Sequence, residues 1–513
     1  MKKIILFNAT AMEKRAALLE DNKVIDVVVE RPDQFRILGN IYRGRINSII
    51  PGIQSAFIDL GLKQSAFLHA SDVDPSLLLE ADDDRIERYT NRADRSKRRR
   101  VVRVPIEQVL EVGQDILVQV IKEPIGNKSP KVTTQISFAG RFLVLVPDAD
   151  FIGVSKKTND RNARKKLKRL VSKLKPPGIG FIVRTIGLQV SESEFVNEMK
   201  NLIEQWRNAQ KVALIGKGPK LILKECGITT QVIRDLFYED VQEVYADQKD
   251  DYNEIVAYLR TVSPELCKRV VHYKSRTPLF DKFNIEKDLE RSLKRKVWLK
   301  CGGYLYFDSA EALLAIDVNT GRNLGKKDLE DTIFQTNIES AREICRQLRL
   351  RDIGGLIVVD FIDMRRNENR KLLEKEMQHL LSQDPTVTSS TGLSKFGLME
   401  ITRKRVRPEL QELFTDVCHS CNGLGRVFSP ATVTTRIDRW LKRAQAMDIS
   451  KRLILTVPNS VYSYIKLENN KIISELETVY NFSITVKIDE SLDQDEFEFY
   501  RPGKNDPITD SYS

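Results

Sequence analysis

The sequence has no run approaching the ~20 consecutive apolar residues that a bilayer-spanning helix requires, so no membrane span is expected. Cysteine is sparse. There are six in 513 residues (Cys226, Cys267, Cys301, Cys345, Cys418 and Cys421), and only the last two are close together. Scattered thiols in a chain of this length exclude a disulfide framework and fit a reducing compartment. No targeting segment is expected either. Met1-Lys2-Lys3-Ile4-Ile5-Leu6-Phe7 opens like a secretory leader, but the apolar run breaks at Asn8, and Glu13, Lys14 and Arg15 follow. That run is too short for a leader and lacks the Arg/Ser-rich, acid-poor character of a transit peptide, so it reads as a first strand.

Against these absences stands a chain too long for one core, with roughly three or four domains expected. Its hydrophobic fraction of 41% is globular, and its net charge of +11 favours a polyanionic partner, either nucleic acid or a membrane surface. Richness in Lys, Ile and Asn suggests an AT-rich genome.

Residues 36–72 read as short strands separated by glycine turns: Arg36 to Ile46, Ser55 to Gly61 and Ser65 to Leu68. That spacing suggests a small barrel. Residues 74–103, with Asp82-Asp83-Asp84 and then Arg95, Lys97, Arg98, Arg99 and Arg100, interrupt it as a surface insertion. Barrel strands resume at Asp115 to Val120. Residues 155–175 carry ten Lys/Arg and one Asp, which reads either as a solvated helix face or as a contact to an RNA backbone.

The clearest α/β signal begins near residue 294. Ala312 to Asn319 is an apolar strand with a polar end, and alternation puts Asp317 and Asn319 on one face. A helix follows from about Asp328, a plausible N-cap, with Leu329, Ile333, Ile338, Ala341, Ile344 and Leu348 as its apolar stripe, and Gly354-Gly355 is expected to stop it. Leu356 to Asp363 then reads as a buried parallel strand. A strand–helix–strand unit with a right-handed crossover sets Asp317 and Asp360 at matching C-terminal ends, about 4.8 Å apart if the strands are neighbours. Two carboxylates so placed repel unless a cation lies between them, and oxygen ligands with open water positions suit Mg²⁺ or Mn²⁺. An ion held there activates water and offsets charge on a scissile phosphate. Spacing alone equally allows acids that cap strand ends or pair with arginines. It also leaves Asp363 as a rival to Asp360, with parity placing those two on opposite faces.

Cys418-His419-Ser420-Cys421-Asn422-Gly423-Leu424-Gly425 is half of a zinc site. Structural zinc takes four ligands, and no second C-x-x-C exists, so an identical chain could supply the other pair. A turn with two free thiols is the alternative.

Ala315 to Gly321, Gly355 to Met364, Phe396 to Arg403 and the cysteine knuckle occur in that order. Together they resemble the catalytic half of the ribonuclease E/G family, over nearly the whole chain. The resemblance implies a multidomain α/β and α+β architecture. A ribonuclease-H-like domain is split over 1–35 and 230–293, with an S1 barrel (36–122) and a 5′-sensor region (123–229) between its halves. A deoxyribonuclease-I-like catalytic domain (294–414), a zinc link (415–430) and a small C-terminal domain (431–513) follow.

It also implies roles. Asp317 and Asp360, in preference to Asp363, resemble the magnesium ligands, and Asn319 the residue that assists them. Cys418 and Cys421 resemble ligands of a Zn²⁺ shared between chains, giving homodimers that pair into tetramers. Phe57 and Phe67 match rings that stack RNA bases, Lys122 a basic RNA contact, and Arg184 with Thr185 a pocket for a 5′-monophosphate. Three departures stand out. Val387 falls near a sensor position that is often Arg in the family, His419 replaces a customary Pro, and the 74–103 insertion resembles the photosynthetic branch. The long scaffold tail of larger members is missing, so no degradosome platform is expected. The expected activity is magnesium-dependent cleavage of single-stranded, AU-rich RNA to 5′-monophosphate and 3′-hydroxyl ends, serving mRNA decay and rRNA and tRNA processing. A non-catalytic RNA-binding or scaffold protein with a vestigial site is the rival. The expected location is the plastid stroma, from a plastid gene, with bacterial cytoplasm as the alternative.

Overall fold

The computed structural model describes residues 2–31, 36–74, 105–124, 129–147, 149–154, 161–184, 187, 191–238, 240–322, 329–447, 451–504 and 506–509. The expected insertion beyond Asp74, the N-cap at Asp328 and the sensor residue Thr185 lie outside them. The chain forms two compact units, Met1–Leu413 and Phe414–Ser513.

In the first unit, a five-stranded sheet runs in the order Val270–His272, Val241–Ala246, Lys3–Ala9, Lys14–Glu20, Lys23–Glu30. Asp21 and Asn22, both at positive φ (47° and 64°), make the tight turn between its last two strands, a geometry that Asn and Asp tolerate. Because Lys3–Ala9 pairs in parallel with Val241–Ala246, the strands between Glu30 and Val241, which belong to other sheets, are inserted into this one.

The insertion begins with a closed five-stranded barrel. Ile41–Ile50, Ser55–Asp59, Ala66–His69, Lys131–Thr133 and Asp115–Lys122 follow one another around it, and Ile41–Ile50 pairs with Asp115–Lys122 to close it. Ile46, Ala56, Ile58, Ala66, Leu68, Val118, Val120 and Val132 fill the interior. The barrel thus runs past residue 122. Lys131–Thr133 is needed to bridge Ala66–His69 and Asp115–Lys122, and Lys220–Leu223 extends the sheet beside Ile41–Ile50. A four-stranded sheet follows, packed by helices Arg161–Leu174 and Glu192–Leu214. The first of these buries Leu167 and Val171 and exposes Lys165, Lys166, Lys168 and Arg169, so the described part of the basic stretch is an amphipathic helix with a solvated cationic face.

The six-stranded sheet after residue 295 carries the acidic motifs. Its order is Lys296–Trp298, Tyr304–Ser309, Leu313–Asn319, Gly355–Asp360, Leu398–Arg403, Thr388–Ser390. Only Leu313–Asn319 and Gly355–Asp360 are parallel, joined through the helix Leu329–Leu350. Leu305, Phe307, Ile316, Val318, Ile357, Val359, Met399 and Ile401 face the helices Leu329–Leu350 and Asn367–Ser382 and form one core. The alternate residues lie on the open face. The long helix ends at Leu350, ahead of the expected Gly354-Gly355 stop: Asp352 takes the left-handed conformation (φ 52°), and the Ile353 amide returns to the Leu348 carbonyl at 3.1 Å. Leu329, expected in its apolar stripe, is 70% exposed, and the buried face of the first turn is formed instead by Glu330 and Thr332.

The second unit is a three-stranded sheet (Ser483–Ile488, Arg452–Val457, Glu498–Tyr500) packed by Pro430–Ala446, Asn459–Ile465 and Leu467–Tyr480. Trp440 stacks on Phe499 with ring centroids 3.9 Å apart. Among the described residues no helix is long and apolar enough to cross a membrane.

Candidate active site

Asp317 and Asp360 are direct partners in the parallel register and project from the open face of the sheet. Both carboxylates come from ends of apolar strands whose other faces are locked into the core, so their separation is fixed by sheet geometry. The Asn319 Nδ2 donates to Asp317 Oδ2 at 2.6 Å, as shared parity on one strand predicts. Gly321 (φ 58°) turns the chain away immediately afterwards. A Cβ there would meet the Gly302 carbonyl oxygen at 2.4 Å, so the turn admits only glycine.

Parity does not govern Asp363. The strand ends at Asp360, so alternation lapses, and the loop brings Asp363 near enough to act on Asp360 electrostatically. Burial, then the charges of Asp317 and Asp363, push the Asp360 carboxyl above its ordinary value. Among the described residues none of the three acids forms an ion pair with Lys, Arg or His. The reading of these acids as arginine partners therefore finds no support. The donors are all oxygens, two exposed carboxylates and an amide beside them, a ligand chemistry that fits a hard divalent cation such as Mg²⁺.

Two side chains that sequence reasoning missed hold the loop after Asp360. Asn337, fully buried on the long helix, donates to the Ile362 carbonyl at 2.8 Å and accepts from the Ile362 amide at 3.1 Å. Glu330 accepts from the backbone amides of Arg365 (3.1 Å) and Arg366 (2.9 Å), a task beyond the helix-dipole role its position suggests. The signal for Asn337 was present in the sequence: it stands one turn from Ile333 and Ala341, a polar residue in an apolar stripe. The far side of the loop is closed by Gly397 (φ 78°), where a Cβ would come within 3.0 Å of Asp363 Oδ1.

On the barrel, Phe57, Phe67, Lys131 and Lys122 occupy consecutive register positions across four neighbouring strands. The two rings are 5.9 Å apart and edge-on, half-buried, and Lys122 is exposed. The structure thus brings the three expected residues into one row and adds Lys131, which pairs with Asp72 at 2.7 Å.

The profile of the ribonuclease E/G family matches residues 137–406, and that of the RNase E/G thioredoxin-like domain matches 417–502. The chain is 34% identical to ribonuclease G of Escherichia coli (strain K12) over 494 residues, covering 96% of this chain and 98% of that protein. It is 34% identical to ribonuclease G of Haemophilus influenzae over 495 residues, with the same coverage of each. It is 33% identical to ribonuclease E of Escherichia coli over 479 residues, 93% of this chain but 44% of that protein. The chain belongs to the ribonuclease E/G family.

It is accordingly an endoribonuclease of RNA processing. In this family member Arg184 lies at the end of the strand Ile179–Val183, half-buried, its Nη1 donating to Asp235 Oδ1 (2.7 Å) and to the Gly140 carbonyl (2.8 Å). It lines a cleft of about 610 Å³ with Arg36, Arg141, Arg407 and Thr386. Val387, next to Thr386, is 69% exposed.

The cysteine knuckle belongs to the second unit. Asn422 and Gly423, at φ 47° and 87°, turn the chain so that the Asn422 amide reaches the Cys418 carbonyl and the Leu424 amide the Cys421 carbonyl, both at 2.8 Å. Amides of Gly425 and Gly423 donate to the Cys421 sulfur and hold its thiol below the ordinary value, an environment suited to a thiolate. Among the described residues no group of three or more His, Cys, Asp or Glu could hold a metal, and Cys418 and Cys421 are two free thiols on one turn.

Proposed function

We propose that this endoribonuclease cleaves single-stranded, AU-rich RNA in a magnesium-dependent reaction at Asp317 and Asp360, leaving 5′-monophosphate and 3′-hydroxyl ends in the course of mRNA decay and rRNA and tRNA processing. The observation that carries this reading is the parallel register of the two carboxylates on an open sheet face, uncompensated by any described cation. Magnesium bound there supplies an activated water and a counter-charge for the phosphate. Asp317 and Asp360 hold the ion, and Asn319 fixes the orientation of the Asp317 carboxylate. Asn337 and Glu330 keep the Asp360–Asp363 segment from relaxing away from it. The crowding of Asp360 by Asp317 and Asp363 favours occupancy by a divalent cation, because each added negative charge costs free energy that the cation relieves.

Phe57 and Phe67 stack bases without regard to sequence, and Lys122 contacts the backbone beside them. Arg184 and Thr185 read a 5′-monophosphate. Cys418 and Cys421 share a structural zinc with a second chain, giving a dimer that pairs into a tetramer. The split sheet is read as the ribonuclease-H-like body and the six-stranded sheet as the deoxyribonuclease-I-like domain. The composition supports a plastid origin.

The decisive experiment follows cleavage of a labelled oligoribonucleotide with Mg²⁺, without it, and with Asp317→Asn. Cleavage that needs Mg²⁺ and disappears in Asp317→Asn, while RNA binding persists, is the expected result. Undiminished cleavage in Asp317→Asn overturns the metal assignment.

A further inference from the structure

The open face of the catalytic sheet carries an aromatic stripe that leads to the acidic pair. Tyr306 is the direct register partner of Asp317, and Tyr304 of Asn319. One strand further out, at the sheet edge, Lys296 pairs with Tyr306 and Trp298 with Tyr304. Register partners share a face, so all four side chains stand on the side from which Asp317 and Asp360 project. The Trp298 and Tyr304 ring centroids are 5.3 Å apart, and those of Tyr304 and Tyr306 6.4 Å. The Lys296 Nζ sits 3.7 Å from the Tyr304 centroid and 4.3 Å from that of Trp298.

These rings are not core. Trp298 is 57% exposed and Tyr306 38%, whereas the chain's other tryptophans, Trp206 and Trp440, are 7% and 2% exposed. Lys296 and Trp298 also line a cleft of about 1180 Å³, bounded on its far side by the helix Leu329–Leu350, whose lining holds seven Lys and Arg side chains and three carboxylates. Exposed rings, a cation held over their faces and a sheet edge that also borders a basic cleft on its helix side match one chemistry: nucleobases linked by phosphates.

We propose that Trp298, Tyr304 and Tyr306, with Lys296, form a base-stacking platform for the single-stranded RNA flanking the scissile phosphate, and that the basic cleft beside Trp298 takes the adjoining backbone. The inference rests on reading Asp317 and Asp360 as the cleavage centre. Stacking on this stripe would hold the strand at a fixed distance from the acids, since ring and carboxylate occupy neighbouring register positions. It would be tolerant of sequence, because every base has a π-face.

The test uses the full chain. In an Asp317→Asn background, a short oligoribonucleotide is titrated while tryptophan emission is followed. Two of the three tryptophans are buried, so quenching by RNA reports on Trp298 and is expected to vanish when Trp298→Phe is added. In the active protein, Trp298→Leu and, independently, Tyr306→Leu are each expected to lower kcat/KM for the oligonucleotide about tenfold, with Trp298→Phe staying within about threefold of the parent. Unchanged kcat/KM in both leucine variants overturns the proposal, as does quenching that survives Trp298→Phe. So does a stripe that RNA leaves unquenched and whose leucine variants instead weaken self-association, which would make it a face for another copy of the chain. Cleavage by Asp317→Asn itself would sink the underlying assignment, and is separately visible.

Discussion

Asn319 donates to Asp317 at 2.6 Å, across two residues of one strand, and so commits one carboxylate oxygen of the candidate metal pair to a fixed direction. A hydrogen bond to a charged group contributes roughly 1.5–3 kcal/mol. Asn319→Ala should therefore lower kcat by roughly 10- to 100-fold with KM little changed. Asn319→Asp should be worse, because it removes the donor and adds a fourth carboxylate to Asp317, Asp360 and Asp363. Steady-state kinetics on one oligonucleotide decide this, and parental kcat in Asn319→Ala refutes the orienting role.

Asn337 makes both of its hydrogen bonds to one residue, Ile362, just after Asp360. Asn337→Leu leaves a buried amide and carbonyl unpaired, at a cost of roughly 1–3 kcal/mol. The expected result is a lower Tm together with a kcat reduced about tenfold and an unaltered KM, because the segment bearing Asp360 and Asp363 loses its anchor. A lower Tm with full kcat would confine Asn337 to stability.

Much of this site was legible in the sequence because strand alternation is a local rule. Asp317 and Asn319 share a face for that reason alone, and the apolar runs around them announced a buried parallel pair. Where the strand stops, at Asp360, the rule stops, so alternation does not place Asp363. The helix end was misplaced because Asp352 supplied a left-handed stop that glycine was expected to provide. The barrel's fifth strand, Lys131–Thr133, escaped because three residues carry little periodicity and its partners are set by closure. Trp298, Tyr304 and Tyr306 escaped because their chemistry depends on which strands become neighbours of Leu313–Asn319, a long-range fact.

The cysteine knuckle yields a prediction about assembly. Two thiolates cannot complete a tetrahedral zinc, so the purified protein should carry about one zinc per two chains. Native mass measurement should show dimers or tetramers that fall to monomers on chelation, and Cys418→Ser or Cys421→Ser should abolish both zinc and association. A monomer that retains a full zinc complement rules out sharing.

Arg184 is held on one side by Asp235 and Gly140, which leaves the rest of its guanidinium to the cleft. A planar fork beside a phosphate is not replaced by an ammonium. Arg184→Ala and Arg184→Lys should both bring the ratio of cleavage rates for 5′-monophosphate and 5′-hydroxyl RNA toward unity. Val387→Arg adds a cation beside Thr386, which lines the same cleft, and should raise the ratio. Rates on paired oligonucleotides differing only at the 5′ end give the answer, and a ratio unmoved by Arg184→Ala removes this residue from 5′-end sensing.

Glu198, buried against Arg141 of that cleft, is expected to make the stability pH-dependent. Its carboxylate accepts from the backbone amides of Arg141 (2.5 Å), Phe142 (2.8 Å) and Leu143 (2.9 Å), yet burial outweighs these donors and pushes it up to about 7. In the unfolded chain it titrates near 4.5. Between those values the folded protein holds a proton that the unfolded chain has lost, so stability falls as pH rises through that window and levels off above it. The loss is on the order of 3 kcal/mol, at 1.36 kcal/mol per pKa unit. Calorimetry from pH 5 to 8 should show the parental Tm declining more steeply than that of Glu198→Gln, which has no proton to lose. If the two curves run parallel, the three amides hold Glu198 as an anion throughout, and the turn Arg141–Leu143 is fixed by a charge-assisted bond at every pH in the range.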